Sequence, residues 1–116
     1  SLVGSEMCKE TELTRTFLKE AKRLSKKYPS LKSDLSSLQE TLLTAPQTGI
    51  DLGNNIYKIR MAISSKGKGK SHGARVIYHT VVSVNEGCIW LLSIYDKAER
   101  ENISDNELKQ LLKEIL

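Results

Sequence analysis

At 116 residues, with 39% hydrophobic and 28% charged side chains, the sequence reads as one folded domain: long enough to bury a core, too short for two. Two cysteines and two histidines exclude a disulfide scaffold and a Cys/His zinc site, and no apolar run approaches the roughly 20 residues that span a bilayer. Eighteen Lys+Arg against 14 Asp+Glu leave a net +4 at neutral pH, an excess whose meaning depends on where it sits.

Residues 1–6 lack the basic start and apolar core of a secretory signal. They are expected to be a disordered leader or a remnant of processing, with 7–116 a single domain of a reduced, cytoplasmic protein. Cys8 to Leu13 alternates weakly and reads as a short strand. Thr14 is a plausible N-cap, and Phe17, Ala21, Leu24 and Tyr28 then recur at helical spacing. That helix ends near Lys27, because Tyr28 precedes Pro29 and a residue before proline avoids the α region. Ser30 is expected to cap a second helix striped by Leu31, Leu35, Leu38 and Leu42, closed by Ala45-Pro46. Two amphipathic helices with so short a joint form a hairpin that needs a flat partner.

That partner follows. Ile56 to Ile63 alternates, with Tyr57, Ile59, Met61 and Ile63 on one face and Lys58, Arg60 and Ala62 on the other. Ser64 to Ser71, rich in Gly and Lys, reads as a flexible loop. Arg75–Ser83 and Cys88–Tyr95 are dense in β-branched residues, with Asn85-Glu86-Gly87 as a hairpin signal between them. Ser104-Asp105-Asn106-Glu107 is a capping box opening a last helix striped by Leu108, Leu111, Leu112, Ile115 and Leu116. The order (β)-α-α-β-β-β-α predicts an α+β fold: two N-terminal helices on a largely antiparallel sheet of about four strands, with a C-terminal helix.

Charge is unevenly placed. No Asp or Glu occurs between Gly53 and Ser83, where Lys58, Arg60, Lys66, Lys68, Lys70 and Arg75 contribute +6. Such a segment suits a polyanion, with a solvated lysine-rich loop as the competing reading. Gly69-Lys70-Ser71 is not a phosphate loop: Ser64 stands where the motif needs glycine, and a strand follows instead of a helix. Asp96 and Glu99 have no metal-site spacing, so neither metal nor cofactor is expected. His72 and His79 are candidates for proton transfer, more readily explained as a solvated loop residue and a sheet-edge residue. The stronger constellation is Lys58 and Arg60 on one strand face, Arg75 opening the next strand, and Ser93, Tyr95 and Lys97 sharing parity on the last. Arginine suits bidentate phosphate contact, lysine supplies a point charge, and tyrosine a plane for a base. The plainer reading is that Lys58 and Arg60 solvate an outer face.

Tyr57-Lys58-Ile59-Arg60, Gly67 to Tyr78 with its Gly-x-Arg-Val-Ile-Tyr, and Leu91 to Lys97 with its Ile-Tyr-x-Lys together resemble the RelE/HigB toxins of bacterial type II toxin–antitoxin systems, within the RelE/ParE superfamily. Ala98 to Ser104 continues the likeness to the HigB-type branch. The resemblance implies a microbial-ribonuclease-like endoribonuclease that cuts mRNA in the ribosomal A site, a cytoplasmic hydrolase that inhibits translation. It places Lys58, Arg60, Arg75 and Lys97 at the family's basic catalytic positions. The prototype's C-terminal tyrosine has no counterpart at Ile103-Ser104, which leaves its role vacant or passes it to Tyr95 or His72 as acid, base or stacking group. In the implied reaction the RNA 2′-hydroxyl attacks the adjacent phosphorus. Arg75 would stabilise the phosphorane, and Lys97 would support it or act as acid. Lys58 or Arg60 would hold the phosphate, with Lys58 preferred as base because arginine stays protonated. Lys66, Lys68 and Lys70 would grip RNA backbone. The implied partners are the ribosome, mRNA and an antitoxin carrying a helix-turn-helix DNA-binding domain, without a membrane. A ParE-like toxin directed at gyrase and a non-catalytic RNA-binding module are the alternatives.

Overall fold

The computed structural model describes residues 11–67, 69, 72–82 and 87–115. Its elements are β1 (Thr11–Leu13), α1 (Arg15–Lys27), α2 (Leu31–Thr44), β2 (Ile50–Gly53), β3 (Ile56–Met61), β4 (Ala74–Val82), β5 (Gly87–Asp96) and α3 (Asp105–Lys113), with a 3-10 turn at Ser64–Lys66. The strands form one sheet in the order β1-β5-β4-β3-β2. Every pairing is antiparallel except β1 with β5, which is parallel. The fold is the expected α+β arrangement with five strands instead of about four. The added strand is β2. A two-residue turn at Asn54-Asn55, both with positive φ (54° and 63°), folds it back on β3. Asparagine tolerates that region better than most residues, and it is the backbone such hairpins require.

The helix signals resolve differently at each end. Thr14 caps α1: its Oγ1 accepts from the Phe17 N–H at 3.0 Å and donates to the Leu92 carbonyl at 2.8 Å, fixing the helix start to β5. Ser104 and Glu107 complete the capping box of α3. Ser30 does not cap α2. Its backbone is already helical (φ −82°, ψ −5°), and its hydroxyl donates instead to Asp34 Oδ2 at 2.8 Å. The first strand is described over Thr11–Leu13, and the expected start from Cys8 to Glu10 lies outside the described residues, as do the 83–86 part of the hairpin turn and Leu116.

Both sheet faces are covered. Tyr57, Met61, Val76, Tyr78, Leu91 and Ile94 pack against Phe17, Leu24, Leu31, Leu35, Leu38 and Leu42 of α1 and α2. On the opposite face Ile56, Ile77, Leu92 and Tyr95 meet Leu111, with Leu108, Leu112 and Ile115 of the C-terminal segment around them. A bulge makes this second layer possible. Ile77 pairs with Ser93 and Tyr78 with Leu91, so Leu92 is an extra residue that reverses the parity of β5. Trp90 and Tyr95, five apart, therefore border the same cluster, where a regular strand would place them on opposite faces.

Candidate active site

β2 pairs with β3 only as far as Lys58, so the second half of β3 has no neighbour on that side. At this open edge lies a cleft of about 920 Å³. Its walls come from α2 (Asp34, Leu38, Thr41), from β3, from Arg75, and from the segment after β5 (Lys97, Glu101, Asn102). Lys58, Arg60, Arg75 and Lys97 thus all line one cavity, although their elements are far apart in sequence.

Each position has a local cause. Lys58 and Arg60 alternate with Tyr57, Ile59 and Met61, which belong to the α1/α2 core, and so point away from it. Arg60 and Arg75 are register partners on adjacent strands, and Tyr95 faces Arg75 from the other side. Arg75 is only 7% exposed. Burial first, and the neighbouring Arg60 second, draw its pKa below the ordinary guanidinium value. The group nevertheless stays charged at neutral pH. Lys58 Nζ donates to Asn102 Oδ1 at 3.4 Å. Lys97 is fixed at its backbone, where its N–H donates to the Gly73 carbonyl at 3.0 Å, and its Nζ lies 3.8 Å from Glu101 Oε1.

A buried network holds the turn that carries Lys97. Asp96 is fully buried and accepts from Lys66 Nζ (2.8 Å), Tyr28 Oη (2.5 Å) and the Ala98 N–H (2.9 Å). Burial alone would push its carboxyl up, but the bonds from Lys66, Tyr28 and Ala98 outweigh it, and the pKa lies below the usual value. Three residues on, Glu99 joins Arg23 and Lys27 of α1 at 2.8 and 3.2 Å.

Other expected site residues lie elsewhere. Lys66 is not presented to solvent for a backbone grip: its side chain is 13% exposed and engaged with Asp96 and the His72 carbonyl. Its stretch, read as a flexible loop, opens with an ordered 3-10 turn tied to α2 by Ser64 bonds to Asp34. Tyr95 shares the basic face by parity, but α3 covers that part of the sheet. It is 2% exposed beneath the Arg100 guanidinium, with no plane to offer a base. His72 is exposed and His79 half-buried, its imidazole pushed down by burial; neither lines the cleft. Lys68 and Lys70 lie outside the described residues. Sequence reasoning passed over Glu101 and Asn102, whose only signal was their closeness to Lys97. Among the described residues no three His, Cys, Asp or Glu side chains are grouped to hold a metal ion.

A family model described as the RelE toxin of the RelE / RelB toxin–antitoxin system matches residues 11–115. The chain belongs to the RelE toxin family. A solved structure of the E. coli toxin RelE, a double arginine-to-alanine mutant in the free state, matches with a TM-score of 0.59 and 18% identity over 92% of this chain and 97% of that one. At that identity the likeness concerns the fold. As a RelE-family toxin the chain is the toxin component of a toxin–antitoxin system, and an antitoxin is its implied partner. Among the described residues no helix is long and apolar enough to cross a membrane.

Proposed function

We propose that this RelE-family toxin is a cytoplasmic, ribosome-dependent mRNA endoribonuclease that cuts in the ribosomal A site. The observation that carries the reading is the convergence of Lys58, Arg60, Arg75 and Lys97 on one cleft. RNA supplies its own nucleophile in the 2′-hydroxyl, so the protein needs chiefly to neutralise the pentavalent phosphorane and move two protons. Arg75, largely buried and backed by Arg60, stabilises the charge that develops on the non-bridging oxygens. Arg60 is exposed and free to seat the incoming phosphate. Lys58 and Lys97 supply further positive charge and are the cleft's lysine proton donors. Lys68 and Lys70 belong to the backbone grip, from which Lys66 is withdrawn by its bond to Asp96. The antitoxin restrains this activity and carries the helix-turn-helix operator-binding domain.

The test is primer extension on an mRNA with and without translating ribosomes, using wild type and Arg75→Ala. Breaks confined to translated message, and reduced on the order of 100-fold or more in the variant, are the expected result. Ribosome binding without breaks would favour an RNA-binding module, and gyrase-dependent DNA damage a ParE-like toxin.

A further inference from the structure

The geometry points to Glu101 as the general base of the cleavage, a role that rests on the endoribonuclease reading above. The argument is an inventory of what the cleft can accept. Its four cationic side chains, Lys58, Arg60, Arg75 and Lys97, are donors, and an ammonium or guanidinium has no lone pair for the 2′-hydroxyl proton. Lys58, the base preferred on sequence grounds, is engaged as a donor toward Asn102 Oδ1. The lining contains two carboxylates, Asp34 and Glu101. Both oxygens of Asp34 are occupied: Oδ1 accepts from Ser64 Oγ at 2.6 Å, and Oδ2 from the Ser64 N–H at 2.9 Å and Ser30 Oγ at 2.8 Å. That carboxylate fastens the 3-10 turn to α2. Glu101 is different. Its side chain is 91% exposed, and its described ionic contact is the 3.8 Å approach of Lys97 Nζ, long enough to leave the carboxylate open to a substrate hydroxyl.

The step balances within the cleft. Glu101 takes the proton from O2′. O2′ bonds to phosphorus as the P–O5′ bond breaks, and Lys58 gives a proton to the departing O5′. The products are a 2′,3′-cyclic phosphate and a 5′-hydroxyl, and the protein is left with a neutral Glu101 and a neutral Lys58. Both groups are open to solvent, which restores them by proton exchange. Lys58 serves as the acid in preference to Lys97, whose ammonium lies 3.8 Å from Glu101 Oε1 and is the base's ionic partner. Lys97 then sets a positive charge beside the Glu101 carboxylate. The other charges facing Glu101 across the cleft are Arg60 on β3, Arg75 on β4 and Asp34 on α2.

The test is single-turnover cleavage of message on stalled ribosomes by Glu101→Gln and Glu101→Asp, with ribosome affinity measured in parallel. Removing a general base costs about 100- to 10,000-fold in rate. Glu101→Gln should lose that factor with ribosome affinity unchanged, and Glu101→Asp should recover part of it. Glu101→Gln within about threefold of wild type overturns the assignment. If Arg75→Ala is inactive in that case, the endoribonuclease reading stands without it. A wild-type protein that leaves translated message intact overturns both.

Discussion

Replacing Asp96 by Asn tests whether the buried network near Lys97 has the weight its geometry suggests. The change keeps the side-chain shape and one acceptor oxygen. It removes the charge opposite Lys66, whose side chain is 13% exposed, and turns an amide N–H toward donors that now point at a carboxylate. Breaking one half of a buried ion pair costs about 3–5 kcal/mol, and the retained acceptor places this substitution near about 3 kcal/mol. A chain of 116 residues has an unfolding entropy of about 0.24 kcal/mol/K, so the melting temperature should fall by about 12 °C at neutral pH. The pH dependence has a definite sign. The carboxyl of Asp96 is held below its ordinary value in the folded state. Its contribution is therefore complete above the unfolded carboxyl pKa of about 3.9 and is lost as pH falls through the folded one. The gap between wild type and variant should be full at pH 7 and close below about pH 4. Thermal melts followed by circular dichroism across that range would measure it. A variant melting within about 3 °C of wild type at pH 7, or a gap unchanged in acid, would refute the reasoning.

Gly73→Ala should destabilise by about 2–3 kcal/mol, because the new Cβ would stand 2.1 Å from the Met61 carbonyl oxygen and 3.0 Å from Ala62 Cα, both backbone. Since the Gly73 carbonyl accepts from the Lys97 N–H, cleavage should suffer as well; equilibrium denaturation and primer extension report the two effects. Tyr78→Phe removes a buried hydroxyl that donates to the Pro46 carbonyl at 2.8 Å and accepts from the Gly49 N–H at 3.0 Å. The expected loss is about 1–2 kcal/mol in urea unfolding, with hydrogen exchange accelerated in β2 and not in β5.

The parts legible in the sequence were those with short-range causes. Helical stripes, the Thr14 cap and the Ser104–Glu107 capping box are encoded within a few residues, and each matches the fold. The alternation around Lys58 and Arg60 also held, because one face of β3 belongs to the helical core. What failed depended on distant partners. Lys66 looks like any loop lysine until the fold brings Asp96, thirty positions later, within 2.8 Å. Tyr95 has the right parity for the basic face, but only the packing of α3 decides that this end of the face is core. Ser30 had a nearer claimant for its hydroxyl in Asp34. β2 was missed for a different reason: Ile50–Gly53 is exposed along its whole length, so it lacks the buried alternation that marks a strand, and its one signal is the turn after it.

The pairing of Arg60 with Arg75 across adjacent strands sets two selective pressures against each other. Like charges directly opposite on a sheet weaken the pair, and one of these guanidiniums is also largely removed from water. The chain therefore carries a built-in self-repulsion, which on the proposed reading a bound phosphodiester would relieve. A screen for thermally hardened variants of this chain would enrich neutral replacements at these two positions, and on that reading every such winner would be a disarmed one.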